Sequence, residues 1–440
     1  MLLFCINKDE ALTEELLQKM IQRFRLEVEP KLRLYKDYEE GKHAILRKTY
    51  SDASKPCSRT VVNYCANIAN SYVGYIGRIS YSSEEDIADI MDILLYNDVQ
   101  AEDMAFLRQA LVYGTAAELM YNDAQSRTRF KLIDPCSCFG VYDDSLSGDL
   151  LYFVRMYRQS EWNDSDIYNV DLYSAYDIKH YEMHGRNGYL RLLGEEPHYF
   201  AQCPANIFTL PDEKSIFDCV LTLQDAVNEL LSSEIDDFAQ FCDAYLGITG
   251  ADMDANAVQA MKESRVLLLP EGSTAQWLTK SASDTQVENI LKRLHDSIYR
   301  ISQCVDFSNE NLMSGVASGI SIQYKMCGQE SRAAMVETIM RKALQRRIEI
   351  LCGQASLRLG EEYWREINIT FKRNIPEDIT TSINIVNGLR GAVSDETLLS
   401  QVPFITDPQA EIEALQEQKA ANMALYNFGS HTHVEAEEDE

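Results

Sequence analysis

The chain has 440 residues, with 41 Lys plus Arg against 69 Asp plus Glu for a formal charge of −28, 45% apolar residues and 25% charged ones. Those proportions exclude a disordered chain and suit about two to four domains, each able to bury its own core. So acidic a balance also excludes a protein that grips nucleic acid tightly by displacing counterions, and leaves loose, sliding contact with DNA open.

In chain order, Leu12, Leu16, Met20, Ile21 and Phe24 recur at helical spacing and predict an amphipathic first helix. Helices follow at about 84–96 and 101–113, carried by Ile87, Ile90, Met91 and Leu94 and then by Met104, Leu107 and Leu111. From about 117 to 210 the texture changes to short aromatic and β-branched runs (FKLI, LLYFVRMY, YNVDLYS, KHYEMH) broken by DDSLSGD and GRNG, which reads as a β-rich region of hairpins. Pro211 and Asp212 then open a long predicted helix to about Cys242, with Ile216, Val220, Leu223, Val227, Leu230, Leu231, Phe238 and Phe241 as its apolar positions.

A short mixed insertion runs from Ala244 to Ser283 with strand-like RVLLLP, and Asp284 caps a second helix bearing Val287, Ile290, Leu291, Leu294, Ile298 and Ile301. The polar, glycine-bearing stretch DFSNENLMSGVASG (306–319) interrupts the helices. A further long helix carries Val336, Met340, Ala343, Leu344, Ile348 and Leu351 and is studded with Lys325, Arg332, Arg341, Lys342, Arg346 and Arg347. A strand INITFKR (367–373), short helices around 379–425 and a tail ending EAEEDE complete the chain, the tail being too acidic to pack.

Eleven cysteines, an odd number in a chain too long to need a disulfide framework, read as reduced thiols. The N-terminal MLLFCINKDE is too short for a signal-peptide core, and the longest uncharged run, 60–77, carries too many amides for a membrane span. The expected setting is the cytosol, without a membrane. GxxxxGK[ST], GxGxxG, HExxH and GxSxG are absent, so neither a phosphate-cradling ATPase nor a familiar hydrolase is indicated. Cys136 and Cys138 form a CxC with no second ligand pair at metal spacing, and two buried thiols are the better reading. His431 and His433 stand among acids in the tail and make a poor metal site. Asp143 with Asp144, and Asp236 with Asp237, are adjacent acids; on a helix such neighbours diverge by roughly 100°, which favours a solvated surface over a two-metal centre. No cofactor, metal or catalytic residue is expected.

Charge is segregated. Residues 209–254 hold eleven acids against one base, Lys214, for a local −10, while 321–352 holds six bases and three acids. At roughly 100° per residue, Asp218, Asp225, Glu229, Asp236 and Asp243 fall within about 20° of one direction, opposite the apolar positions. The expectation is an acidic stripe turned away from the core.

Several stretches together resemble the SPP1-type bacteriophage portal proteins: YEEGKHAILRK (38–48), VVNYCANIANSYVGYIGRIS (61–80), LVYGTAAELMYND (111–123), FKLIDPCSCFGVYDD (130–144), DAVNELLSSEIDDFAQFCDAYLGITG (225–250), SGVASGISIQYKMCGQESRA (314–333), FKRNIPED (371–378) and GAVSDETLLSQVPFITDPQAE (391–411). Each motif is weak alone; their joint order over about 370 residues carries the resemblance. It implies an α+β portal fold with wing, helical stem, small clip and helical crown, assembled as a cyclic ring of twelve copies.

In that reading 1–210 and 321–395 form the wing, 211–243 and 284–305 the stem helices, 244–283 the clip and 396–428 the crown. Residues 306–320 form a tunnel loop, with Asp306, Ser308, Asn309, Asn311, Ser314, Gly315, Ser318 and Gly319 as its DNA-facing candidates, and 429–440 form the acidic tail. The implied partners are other copies of the chain, double-stranded DNA, the large terminase subunit, the major capsid and scaffolding proteins and a head-completion adaptor, in the portal vertex of the virion. The competing readings are a capsid scaffold or adaptor without a channel and, more remotely, a carboxylate-dependent metal hydrolase.

Overall fold

A computed structural model of the chain describes residues 4–50, 55–83, 87–159, 166–186, 188–241, 245–249, 274–278, 284–306, 319–354, 363–374 and 386–399, together with isolated positions elsewhere. Two compact units emerge, Met1–Gly315 with Gln323–Arg373, and Val316–Ile322 with Asn374–Glu440. In the second unit the short helix Asp395–Leu399 begins behind Ser394, whose Oγ accepts from Thr397 N at 3.4 Å.

After strand β1 (Cys5–Ile6), Thr13 caps helix α1 (Glu14–Arg23), its Oγ1 accepting from Leu16 N. A π-turn (Phe24–Val28) leads into α2 (Glu29–Glu39). Pro30 stands at the start of α2; lacking an N–H and carrying a bulky ring, it cannot continue an undisturbed α-helical ladder, and the wider turn accommodates it. Helix α3 (Tyr64–Ile76) is followed by β2 (Arg78–Ser82), α4 (Ala88–Tyr96) and α5 (Val99–Tyr113). Gly114 ends α5 at φ +79°, and a Cβ there would lie 2.6 Å from Lys214 N, so only glycine fits.

Eight strands fill 115–209: β3 (Thr115–Asn122), β4 (Thr128–Ile133), β5 (Cys138–Asp143), β6 (Leu150–Arg158), β7 (Ile167–Tyr173), β8 (Asp177–His184), β9 (Leu190–Pro197) and β10 (Ala205–Thr209). They build two open sheets, β1-β5-β6-β7-β8-β9 and β10-β3-β4. The larger is an antiparallel meander with β1 added in parallel. Its period-two pattern sends Phe139 and Val141, Val154 and Met156, Val170 and Leu172, Tyr181 and Met183 to one face, where Leu17, Ile21 and Phe24 of the first helices cover them. Each such side chain contributes about 1.5–3 kcal/mol by leaving water. The opposite face, through Phe153 and Tyr173, packs on Ala117, Leu119 and Ala205 of the smaller sheet.

The remaining elements are helix α6 (Leu221–Phe241), the hairpin pair β11 (Tyr245–Thr249) and β12 (Thr274–Leu278), helices α7 (Asp284–Ser302) and α8 (Gly319–Cys352), and β13 (Asn368–Lys372), which pairs with β2. The architecture is mixed α+β. Helix α6 starts later than its sequence predicts. Pro211–Ser215 turns back so that Ile216 N donates to Leu111 O at 2.8 Å and Leu210 N to Gly114 O at 2.9 Å, and a 3-10 turn (Asp218–Val220) precedes the helix.

Candidate functional site

The acids expected to form an outward stripe lie along α6 and the turn before it, and four of them, Asp218, Asp225, Glu229 and Asp236, are engaged by the chain itself. Tyr35 Oη donates to Asp218 at 2.6 Å, and Tyr38 Oη to both oxygens of Asp225 at 2.8 Å. Burial, then the adjacent carboxylate, pushes both phenols well above their ordinary value. Asp236 is buried and accepts from Ser58 N at 2.6 Å and Tyr50 Oη at 3.3 Å. Burial alone would raise its pKa; the Ser58 N–H and then Lys48 outweigh that and hold it below the usual carboxylate value. Lys48 Nζ lies 3.0 Å from the more exposed Glu229, and although burial opposes its charge, Tyr50 and Glu229 raise it to about 12. Asp243 lies outside the described residues. The stripe therefore does not turn away from the core as expected. The spacing is helical, but α2 and the segment after Lys48 cover that side.

Next to the acids, α6 presents a second face, Gln224, Asn228, Ser232 and Asp236, all buried. This ladder binds the backbone of an extended segment running the other way: Ser58 N donates to Asp236, Thr60 N to Ser232 Oγ at 3.0 Å, Val62 N to Asn228 Oδ1 at 3.0 Å and Tyr64 N to Gln224 Oε1 at 2.9 Å. The match is geometric, since four helical residues rise about 6.0 Å and two extended residues about 6.6 Å. Asn228 also donates to His43 Nδ1 at 2.7 Å, while His43 Nε2 donates to Tyr38 O at 2.9 Å, which fixes the ring tautomer.

The apolar side of α6 behaves unevenly. Val220 and Val227 are buried, whereas Ile235 and Phe238 are exposed, Phe238 to 72%. Helix α7 repeats the pattern, with Ile298 buried and Ile290 and Ile301 exposed.

The chain leaving α7 toward 306–320 is held at its root. Tyr72 Oη and Arg332 Nη1 donate to Ser302 O at 2.9 and 3.1 Å, Arg332 Nη2 reaches Ile216 O at 3.0 Å, and Val305 N donates to Gln329 Oε1 at 3.0 Å. Asp306 lies 3.7 Å from His295, whose ring packs on Tyr299 with centroids 4.8 Å apart. Ser308, Asn309, Asn311, Ser314, Gly315 and Ser318 lie outside the described residues, and Gly319 is the first residue of α8.

Among the bases of α8, Arg347 turns inward, while Lys342 is exposed. Arg347 is fully buried, bonded to Asp103 and, at 2.9 and 3.0 Å, to Glu118. Burial works against its charge, but Glu118 and then Asp103 hold the guanidinium well above its ordinary value. Tyr81 Oη donates to Asp103 at 2.7 Å and Asn206 Nδ2 to Glu118 at 2.6 Å. Arg373 lies 2.9 Å from Glu330 and 2.7 Å from Glu337. Cys138 is buried and Cys136 half-buried, and burial, then Asp134, pushes the Cys136 thiol up to about 12, away from the thiolate a metal needs. No group of three or more metal-binding side chains converges among the described residues, and none of their helices is long and apolar enough to cross a membrane.

A family model for phage portal proteins of the SPP1 Gp6-like kind matches residues 21–424. The chain belongs to this portal protein family. It is similar to the portal protein of Bacillus phage SPP1, at 23% identity over 305 aligned positions, with 63% of this chain and 59% of that relative's length covered. Among solved structures it is similar to a chain in the neck of a native GTA particle computed with C12 symmetry, at 12% identity over 77% of this chain and 89% of that one, with a TM-score of 0.44. The network around α6 holds α2 and the segment 58–64 against this helix.

Proposed function

We propose that the chain assembles into a closed ring of about twelve copies at one capsid vertex of a tailed phage, through which double-stranded DNA is packaged and later released. The observation that carries this reading is the exposed apolar side of α6 and α7: Ile235, Phe238, Ile290 and Ile301 leave apolar surface uncovered in a single copy, and a neighbouring copy would bury it. In this reading α6 and α7 are the stem, 244–283 the clip on which the large terminase subunit and then a head-completion adaptor dock, and 306–320 the tunnel loop. Residues 396–428 are the crown, and 1–210 with 321–395 are the wing that meets the capsid and scaffolding proteins. Because Tyr35, Tyr38, Tyr50 and Ser58 engage Asp218, Asp225 and Asp236, these acids brace the stem against the wing and do not line the channel.

Native mass spectrometry tests the reading. The chain is expected to give a complex of about twelve copies. Phe238→Asp with Ile290→Asp is expected to reduce the ring fraction by at least about tenfold, because burying an unpaired charge costs several kcal/mol. A sharp monomer peak for the unaltered chain, with no ring in electron micrographs, would overturn it.

A further inference from the structure

Where the π-turn and α2 face β3, β5 and β10, the side chains leave a cavity of about 410 Å³. Protein interiors are otherwise packed as densely as organic crystals, and a space of this size falls in the range of about 300–1,000 Å³ that small-molecule sites occupy. Its apolar wall is aromatic. Phe4, Phe24 and Phe139 are all buried and form one group, with ring centroids 4.7 Å apart for Phe4 and Phe139 and 5.2 Å apart for Phe24 and Phe139. Four hydroxyl-bearing side chains also line it. Thr115 and Thr209 satisfy each other, their Oγ1 atoms 3.2 Å apart, whereas the half-buried Tyr113 and Tyr142 have no hydrogen-bond partner for their phenols among the described residues. Burial pushes both phenols well above their ordinary value, so each keeps a proton to donate. The charged side chains at the cavity are Glu27, Lys31 and Glu213. Glu27 is paired with Arg23 at 3.0 Å, and Lys31 donates to Glu213 O at 3.4 Å with its Nζ 5.7 Å from the centre of the Tyr35 ring.

We propose that this cavity binds an uncharged aromatic molecule bearing one hydrogen-bond acceptor. Flat rings suit a wall of three phenylalanines, against which they can stack or meet edge to face. A carbonyl or ether oxygen gives the Tyr113 and Tyr142 phenols the acceptor that the chain itself does not supply. Charge excludes the alternatives. A carboxylate or phosphate would meet two glutamates and a lysine that already has contacts of its own, and an ammonium group would lose more on leaving water than the ring faces return. Every side chain that makes the site belongs to one copy, so the assignment does not depend on the ring.

Prodan, an uncharged naphthyl ketone, is titrated onto the full chain and followed by its own fluorescence. Its emission should shift to the blue and saturate at one molecule per chain, and hydrogen exchange of the unaltered chain should slow at least threefold within 24–32 and 138–142. Ala117→Leu places a larger side chain in the cavity and should weaken prodan at least tenfold. Tyr113→Phe with Tyr142→Phe keeps both rings, removes both donors and should weaken it about fivefold. Anilinonaphthalene sulfonate, of similar size but anionic, should not displace it. Absence of saturable binding, or protection confined to other segments such as 235–238, overturns the proposal. Prodan binding unchanged by Ala117→Leu in a chain of native circular dichroism overturns the location. Binding unchanged by the paired Tyr→Phe variant, or displacement by the sulfonate at equal concentration, overturns the ligand class. Should a substituted chain fail to fold, the exchange pattern and the competition, both read on the unaltered chain, decide by themselves. None of these outcomes bears on ring formation, which native mass spectrometry reads separately.

Discussion

Arg347 shows how far a side chain's role can lie from its sequence setting. It sits in the most basic stretch of the chain, yet it is fully buried between Asp103 and Glu118, more than 200 residues away in each case, with the Phe130 ring 4.6 Å from its guanidinium carbon. Removing the cation leaves two buried carboxylates uncompensated, so Arg347→Ala should destabilise the chain by about 3–5 kcal/mol, read as a drop in the denaturant midpoint. Arg347→Met combined with Asp103→Leu and Glu118→Leu should recover most of that loss, because no charge is then stranded. If the triple variant is no more stable than the single one, desolvation is not the dominant effect. Asp236 provides the pH-dependent counterpart. Its folded pKa lies below the ordinary 3.8, so its contribution is present above about pH 4 and is lost as pH falls through the depressed value. Asp236→Asn should flatten that part of the acid unfolding curve, and an unchanged curve would show that the carboxylate is not what holds Ser58.

At the scale of elements, the bond between α6 and the segment 58–64 joins two periodicities. Residues 58–63 are neither helix nor sheet and Tyr64 opens α3, yet every second N–H is satisfied by a side chain of α6. Amide exchange should therefore be slow at 58, 60, 62 and 64 and fast at the residues between, an alternation that an ordinary loop lacks. Asn228→Ala removes the acceptor for Val62 N and the donor to His43 together and should cost about 1–3 kcal/mol, raising exchange first at Val62; exchange unchanged there would refute the ladder. The helices of 12–24, 84–113 and 284–302 and the strands of 115–209 were legible because each carries its own hydrophobic period. The start of α6 was not, since Glu213, in left-handed backbone at φ +50°, belongs to a turn locked against Gly114. Nor was the setting of the acidic stripe. A helical wheel says which side chains share a face, but the tyrosines that cover this one come from α2, about 180 residues earlier.

For the whole molecule, the formal charge of −28 sets a condition on assembly. Copies brought into a ring repel one another, and Asp218, Asp225, Asp236 and Arg347, which have partners within their own chain, are not available as bridges between copies. In the proposed ring, the force joining copies is burial of apolar surface such as Phe238 and Ile290, which are exposed in a single copy. These opposing terms respond differently to salt. Screening shortens the reach of repulsion from about 30 Å at 0.01 M to about 8 Å at 0.15 M ionic strength, whereas apolar burial is little affected by sodium chloride at such concentrations. The proportion of rings, measured by sedimentation velocity at fixed protein concentration, should rise as salt increases over that range and then level off. An assembly held by ion pairs between copies would show the reverse, so rings that dissociate steadily with added salt would locate the holding force in charges at the subunit boundary and not in the exposed apolar side of α6 and α7.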